Sequence, residues 1–317
     1  MKKKCLVLNN REPIPENFLA DLESQLEVVW YQKTDDIFSI TEALEQNKDT
    51  HILITTYMDL CQKNLELLPS LEAIIATTIS THFIDSGYCQ SNNIKIFNTA
   101  NYTGSSVAEH AVALMMGAVR KLTEINQAVR VGNTQGFEYP GMELFGKTAG
   151  IIGLGNIGSY VAQMLSGFGM DIVYFNRSQK SSQIAKPVDL DTLVTTSDII
   201  FLTLALNNAS NEMMNEQVFD NMKTSAILVN VSPDDVIDKT ALVKALSQGK
   251  IAYAALDLLN PEPYLHVSNT ILTCRRAWYT NECFDRRIKL WKNTLTAYLS
   301  NQLQQETLNH LDFVQVK

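Results

Sequence analysis

KTAGIIGLGNIGSYVAQML, residues 147–165, joins an apolar run to a helical pattern through a turn rich in glycine. Residues 148–152 are predicted to form a buried strand, and Ile157, Val161 and Leu165 repeat at the spacing of a helix. Between them lies the pattern G-x-G-x-x-G. In such a strand–turn–helix unit the glycines allow a tight turn, a close approach of the backbone to a pyrophosphate, and close packing of helix on strand. The predicted dinucleotide contacts are Gly153, Gly155, Asn156, Ile157 and Gly158.

The next predicted strand, DIVYF, ends just before Asn176, Arg177 and Ser178. This position lies about 20 residues after the glycine turn, where an NAD site places an acid for the ribose 2′-hydroxyl. An acid would repel a 2′-phosphate, whereas Asn, Arg and Ser can donate hydrogen bonds to it, Arg through two N–H groups. The sequence therefore favours NADP(H) over NAD(H), with Asn176, Arg177 and Ser178 as cofactor contacts.

Short apolar runs alternate with helical patterns on both sides of this motif, which is typical of βαβ units with parallel strands. A long helix is predicted over 104–122, with Ser106 and Glu109 forming a capping box at its start. A last helix is predicted over roughly 280–300. The predicted strands form two series: 5–8, 28–31, 51–56, 73–76 and 94–97, and then 148–153, 171–175, 198–205, 226–232, 251–259 and 270–274.

Composition limits the possible partners of the chain. Its 317 residues have a net charge of −8, so no basic field exists to attract nucleic acid or an anionic membrane surface. No apolar run approaches the ~18 residues of a membrane span, and no metal-ligand spacing is present. The first residues contain too short an apolar run for a signal peptide. The five scattered cysteines are predicted to be reduced core thiols of a cytoplasmic protein.

Four segments together resemble the D-isomer-specific 2-hydroxyacid dehydrogenases, which include glyoxylate and hydroxypyruvate reductases. The segment YFNRS is also similar to the members that prefer NADPH. The segments are NTANYTGSSVAEHAVALMM (98–116), GKTAGIIGLGNIGSYVAQMLSGFGMDIVYFNRS (146–178), VDLDTLVTTSDIIFLTLAL (188–206) and ALVKALSQGKIAYAALDLLNPEP (241–263).

This resemblance implies an α/β protein with two doubly wound domains. A Rossmann dinucleotide-binding domain, residues 103–282, is expected to be inserted into a flavodoxin-like substrate-binding domain, residues 1–102 and 283–317. The family also implies a cleft between the domains that takes a small-molecule substrate, and a homodimer formed through the cofactor domain.

The family's chemistry uses three side chains. An arginine in N-T-A-R-G holds the substrate, a histidine in T-P-H protonates the developing alkoxide, and a glutamate in E-P holds that histidine. This chain instead has Pro233 at the arginine position and Arg275 at the histidine position, and it retains the glutamate as Glu262. Two of the three roles are therefore missing at their usual places.

Other family positions are present or altered. Asp257 matches the residue near the nicotinamide carboxamide. Ile79 and Ser80 lie in the loop whose backbone N–H groups receive the substrate carboxylate, with Ser80 in place of the usual glycine. Asp234 and Asp235 follow Pro233 and would repel a carboxylate unless they face solvent. We expect at most one of them to face the substrate.

Three hypotheses follow. In the first, the protein is an atypical NADP(H)-dependent reductase of a small 2-oxo acid or related carbonyl, with Arg275, Glu262 and Asp234 as candidate catalytic residues. Arg275 would bind the anion and be held by Glu262. Because arginine does not release its proton, the proton would come from water, Glu262, Tyr279 or His82.

The second hypothesis keeps hydride transfer but changes the substrate to an imine or another cation. An imine carbon is already activated, and Asp234 or Asp235 would supply the counter-charge. In the third hypothesis the chain is catalytically inactive. It would bind NADP(H) and serve as a sensor or a partner-binding dimer. Loss of the arginine and histidine favours this, whereas retention of Glu262, Asp257 and the glycine loop argues against it.

Overall fold

In the computed structural model, the described residues are 2–9, 20–32, 39–134, 139–178 and 180–300. The chain divides into two compact units. Unit 1 comprises Met1–Tyr102 and Asn281–Lys317, and unit 2 comprises Thr103–Thr280. The second boundary lies two residues before the predicted one, where the last helix begins. Residues 301–317 of the predicted substrate domain lie outside the described residues.

Unit 1 contains a five-stranded sheet in which every pair of neighbouring strands is parallel. The strand order β2-β1-β3-β4-β5 is that of a flavodoxin-like doubly wound fold. The predicted strand runs are thus confirmed in place and direction. The strands are β1 (Lys3–Asn9), β2 (Leu26–Gln32), β3 (Ile52–Thr55), β4 (Ala73–Ala76) and β5 (Lys95–Asn98).

Helices cover the two faces of this sheet. The last helix packs Trp291 and Leu295, both essentially inaccessible to solvent, against side chains of the central strands. A helix from late in the chain thus packs on a sheet whose strands all come from the first part of the chain. The α-helices of unit 1 are α1 (Ile40–Glu45), α2 (Gln62–Leu65), α3 (Ser86–Ser91) and α10 (Asn281–Leu299).

Unit 2 contains a seven-stranded parallel sheet of order β12-β11-β10-β9-β6-β7-β8. In unit 2, β6 is the first strand, and the order reverses on its two sides as in a Rossmann fold. The strands are β6 (Thr148–Ile152), β7 (Asp171–Phe175), β8 (Lys186–Pro187), β9 (Ile199–Leu202), β10 (Ile227–Asn230), β11 (Tyr253–Asp257) and β12 (Thr270–Thr273).

Both faces of the unit 2 sheet are buried, which explains why its strands read as continuous apolar runs. Ile151 and Phe201 belong to the core under one face, and Ile152 and Leu202 belong to the core under the other. The helices are α4 (Gly104–Val119), α5 (Leu122–Arg130), α6 (Asn156–Ser166), α7 (Leu190–Thr196), α8 (Glu216–Asn221) and α9 (Lys239–Ser247).

The helix predicted over 104–122 is confirmed as α4, which ends three residues earlier at Val119. Lys121 has a left-handed φ of 52° and separates α4 from α5, which the sequence did not predict. The predicted capping box is wrong. Helix α4 begins at Gly104, so Ser106 lies inside it, and the Ser106 hydroxyl hydrogen-bonds to the Thr280 hydroxyl at 3.1 Å. A side chain at 104 would collide with Asn156 on α6, which explains why glycine is found there.

All five cysteines are free, as predicted, but not all of them are core residues. Cys5, Cys89 and Cys283 are buried, whereas Cys61 is partly buried and Cys274 is exposed. In the described part of the chain, the helices are too short or too polar to cross a membrane. The same residues include no cluster of three or more side chains suited to hold a metal ion.

Candidate functional site

The glycine turn leaves open space beside the first turn of α6. Gly153 has φ 102°, a conformation that favours glycine, and it follows directly on β6. A Cβ on Gly158 would lie 2.3 Å from the Gly153 carbonyl oxygen, so this glycine allows the close packing. A Cβ on Gly155 would meet no atom within 4 Å. Gly155 is also the N-cap of α6 and gives no side-chain cap.

These features together fit an anion-binding site, because uncapped N–H groups and the positive end of a helix dipole point into free space. Asn156 is exposed at the start of the helix. The Ile157 side chain packs against the apolar core, so only its backbone is available to a ligand. Of the predicted glycine-loop contacts, Gly153 and Gly158 shape the turn and Gly155 borders the space.

The end of β7 lies beside this turn. The Asn176 side-chain oxygen accepts a hydrogen bond from the Leu154 N–H at 2.8 Å, which joins the two segments and leaves the amide NH₂ as a donor. Arg177 and Ser178 are exposed. Among the described residues, Arg177 has no ion-pair partner. The exposed Arg177 guanidinium therefore belongs to the segment in which NAD sites have an acid.

The two acids after Pro233 have separate partners. The Asp234 side chain is buried, and its carboxylate accepts hydrogen bonds from the Leu259 N–H (2.9 and 3.1 Å to its two oxygens) and the Asn260 N–H (2.9 Å). Asp235 is exposed and forms an ion pair with Lys239 at 3.1 Å. Asp234 thus holds the segment after β11, and the hypothesis that it acts in catalysis gains no support from its contacts.

A second buried carboxylate holds the segment after β12. Asp257 accepts hydrogen bonds from the Thr273 hydroxyl at 2.6 Å, the Arg276 N–H at 2.8 Å and the Ala277 N–H at 3.0 Å. The His110 Nε2 atom lies 3.0 Å from the Thr273 hydroxyl and 4.0 Å from the Asp257 carboxylate. Burial lowers the pKa of His110, and the charge of Asp257 partly opposes this shift.

Arg275 lies in the segment that Asp257 holds. It is exposed and has φ 50°, a left-handed conformation that is uncommon for a residue with a side chain. Glu262 is also exposed, at the start of the 3₁₀ helix Glu262–Tyr264. Within the described residues no ion pair joins Arg275 and Glu262, so the expectation that Glu262 holds this arginine gains no support and stays a prediction.

In unit 1, the predicted substrate loop follows β4. Ile79 is 48% exposed, and its carbonyl accepts a hydrogen bond from the Asn98 side chain at 2.7 Å. The Ser80 hydroxyl hydrogen-bonds to His82 Nδ1 at 2.7 Å. Tyr57, which follows β3, has φ 46° and lies next to the His82 ring. The loop thus has a fixed backbone and an exposed apolar side chain.

Sequence reasoning missed Thr273 and His110 as members of this arrangement. Thr273 reads as the last residue of a strand, and His110 reads as one residue of an apolar helix. The two are 163 residues apart in sequence. Their spacing in sequence does not relate them, whereas the contact between a partly buried histidine of α4 and the end of β12 is apparent once the structure is known.

Comparisons with known proteins also indicate a dinucleotide-binding domain. Residues 112–280 match the model of the D-isomer-specific 2-hydroxyacid dehydrogenase NAD-binding domain. The chain is 31% identical to a glyoxylate reductase of Pyrococcus furiosus, covering 98% of this chain and 96% of the relative. It is 32% identical to the glyoxylate/hydroxypyruvate reductase HPR3 of Arabidopsis thaliana, covering 75% and 76%.

Among solved structures, an acyclic imino acid reductase (Bsp5) in complex with NADPH and D-Arg is similar, with a TM-score of 0.82 and 27% identity. The match covers 94% of this chain and 97% of that chain. Relatives named for carbonyl reduction and a neighbour named for imine reduction therefore share this fold.

We predict that substitutions at Gly155 and at Gly158 have different effects. Gly158→Ala should lower the free energy of unfolding by about 1–3 kcal/mol, because its Cβ would overlap the Gly153 carbonyl. Gly155→Ala should leave the free energy within about 0.5 kcal/mol, because nothing lies within 4 Å, yet weaken dinucleotide binding. Urea unfolding and fluorescence titration with NADPH and NADH measure both. Wild-type cofactor affinity in Gly155→Ala would place the cofactor elsewhere.

Proposed function

The chain belongs to the D-isomer-specific 2-hydroxyacid dehydrogenase family, and on that premise we propose that it is an NADP(H)-dependent reductase of a small 2-oxo acid or related carbonyl compound. The observation that best supports this is the exposed Arg275 guanidinium at the carboxyl edge of a Rossmann sheet whose glycine turn is open. We assign dinucleotide binding to unit 2 and the substrate loop with Ile79 and Ser80 to unit 1. Asp257 stays a proposed cofactor contact besides the hydrogen bonds described above.

The preference for NADP(H) rests on the end of β7. Arg177 is exposed and has no ion-pair partner among the described residues, so its two N–H groups are available to a 2′-phosphate. Ser178 and the Asn176 amide add neutral donors. Asn176 also fixes the distance between β7 and the glycine turn through its bond to the Leu154 N–H. A carboxylate that would favour the ribose hydroxyls of NAD(H) is missing from 176–178.

Arg275 is proposed to bind the carboxylate of the substrate. When bound, the nicotinamide cofactor supplies a hydride for the substrate carbon. A guanidinium can hold a carboxylate through two parallel hydrogen bonds, and its positive charge stabilises negative charge that develops on a neighbouring oxygen. It cannot provide the proton, because an arginine guanidinium does not release its proton in proteins. Water, Glu262, Tyr279 and His82 remain the candidates for that role.

Imine reduction is the second candidate, and the similarity to the imino acid reductase favours it. A protonated imine already has the proton that an alkoxide would need, so a site without a general acid suffices. Pro233 also removes a cation that would repel an iminium. Asp234 and Asp235 gain no support as the counter-charge for such a substrate, because the Asp234 carboxylate accepts hydrogen bonds from backbone N–H groups and Asp235 pairs with Lys239. We propose exposed Glu262 as the counter-charge instead.

We predict that Arg275→Ala lowers kcat/KM for NADPH oxidation roughly 10- to 100-fold, as expected for a lost charged hydrogen bond. The NADPH affinity should stay unchanged. The assay compares glyoxylate, hydroxypyruvate and pyruvate with pyruvate plus methylamine, which forms an imine. Arg276→Ala is the matched control, because it removes the same charge one residue further on. Because the Arg276 side chain stacks on Tyr279, itself a candidate proton donor, Tyr279→Phe is measured beside it.

Faster turnover with the amine present would select imine reduction over carbonyl reduction. An equal loss of kcat/KM in Arg276→Ala would contradict a specific role for Arg275. If NADPH binds tightly and no substrate is reduced, the protein is a cofactor-binding homologue rather than a reductase of these compounds.

We predict that Arg177→Ala raises the Kd for NADPH roughly 10-fold or more and leaves the Kd for NADH nearly unchanged, since only NADPH carries the 2′-phosphate. Lys180→Ala is the control, because this exposed lysine lies three residues further along the same segment. Equal losses for both cofactors in Arg177→Ala would argue against the proposed contact.

A homodimer is proposed through unit 2. No residue of α5 is buried, and Leu122, Ile125 and Val129 are 54%, 37% and 53% exposed on one face. Such an apolar stripe indicates a partner surface, and the family resemblance indicates a second copy of this chain. The free cysteines are compatible with a reducing compartment, so we also propose a cytoplasmic location.

We predict that Val129→Glu converts the dimer to a monomer, because an unpaired charge would be buried in the interface. Light scattering after size-exclusion chromatography measures the mass. Ile184→Glu is the control, since Ile184 is also exposed but lies outside α5. A dimer that persists in Val129→Glu, or a monomeric wild type, would contradict this interface.

A further inference from the structure

The carboxylate of Asp257 binds the segment that contains Arg275 and is almost completely buried, with 4% exposure. One of its oxygens accepts hydrogen bonds from the Thr273 hydroxyl and the Arg276 N–H, and the other accepts from the Ala277 N–H. These three donors lie on both sides of Arg275 in sequence. The residues that flank the guanidinium are therefore fixed to a single buried anion.

This arrangement explains the backbone conformation of Arg275. A left-handed φ of 50° is sterically costly for a residue with a Cβ, and it persists only where neighbouring contacts enforce it. The hydrogen bonds from the N–H groups of Arg276 and Ala277 to Asp257 turn the chain sharply after Thr273. The conformation of Arg275 then decides in which direction its side chain leaves the backbone.

His110 extends the same arrangement from α4. Because the Thr273 hydroxyl has one hydrogen and donates it to the Asp257 carboxylate, its oxygen accepts the hydrogen bond from His110. That bond requires a proton on Nε2. The hydrogen bonds therefore run in one direction, from His110 to Thr273 and from Thr273 to the Asp257 carboxylate, and they fix the orientation of that carboxylate.

We propose that Asp257, supported by Thr273 and His110, is a positioning residue that sets the direction of the Arg275 guanidinium and thereby the affinity for the substrate carboxylate. This rests on the anion-binding role of Arg275 proposed above. It differs from the cofactor contact that the family resemblance implies for Asp257. A cofactor contact predicts that NADPH affinity changes with Asp257, whereas a positioning role predicts that anion affinity changes.

A double-mutant cycle on the full chain tests the coupling. Arg275→Ala, Asp257→Asn and the double variant are titrated with oxalate, used as a carboxylate probe, by isothermal calorimetry in the presence of saturating NADPH. Asparagine keeps the volume but replaces one acceptor oxygen with a donor. We expect each single variant to raise the oxalate Kd roughly 5-fold or more, and the double variant to be no weaker than Arg275→Ala.

The NADPH affinity and the exchange of backbone amides are measured on the same variants. Asp257→Asn should speed hydrogen exchange at Arg276 and Ala277. Thr273→Val, which leaves the Asp257 carboxylate in place, should keep the NADPH Kd within about twofold. Two outcomes would overturn the proposal. In one, the losses of oxalate affinity in the two single variants multiply in the double variant. In the other, Asp257→Asn weakens NADPH binding and leaves oxalate binding unchanged. Because amide exchange requires no turnover, the positioning role is tested even if no substrate is reduced.

Thr273 supplies a matched pair in case Asp257→Asn does not fold. Thr273→Ser keeps the hydroxyl that donates to Asp257, and Thr273→Val keeps the branched shape without it. We expect wild-type oxalate affinity in the serine variant and a weaker affinity in the valine variant. Equal affinities in both would show that the hydroxyl has no part in orienting the carboxylate, which would overturn the role given to Thr273 and His110.

Discussion

Two buried carboxylates, Asp234 and Asp257, bind the backbone N–H groups of the segments that follow β11 and β12. Parallel strands end together at one edge of the sheet, and the segments that leave them have no ladder partners for these groups. A buried carboxylate needs donors as much as those N–H groups need an acceptor. Each acid therefore satisfies both requirements and gives an irregular segment a defined shape, on which the placement of Glu262 and Arg275 depends.

The family's usual arginine and histidine are replaced within this framework. Pro233 begins the short helix Asp234–Val236, so the residue that would hold substrate in a relative now directs the chain toward the Asp234 contact. Arg275 places a permanent positive charge where a relative has a titratable ring. The proposed site thus keeps one cation but lacks the family's histidine, which makes both a carbonyl and an imine substrate chemically reasonable for it.

The sequence predicted both sheets because doubly buried parallel strands appear as short apolar runs that alternate with helical patterns. It failed where geometry depends on contacts from distant parts of the chain. The two-residue strand β8 has no apolar signal, and the exposed helix α5 was not predicted. The ion pair expected between Arg275 and Glu262 stays a prediction for the same reason, since matching two residues to a motif does not fix the direction of their side chains.

The contacts of Asp234 help to decide whether the changes at the family's three catalytic positions reflect loss of activity or adaptation to another substrate. Random loss of a catalytic arginine would leave the neighbouring position free to vary, and the motif of the family has glycine there. In this chain that position is Asp234. Its two carboxylate oxygens lie 2.9 to 3.1 Å from the backbone nitrogens of Leu259 and Asn260, in the segment leading to Glu262. The segment with the retained glutamate is therefore held by a residue that the family motif lacks. A site that had lost its use would not need such support, and this favours a rebuilt site over an abandoned one.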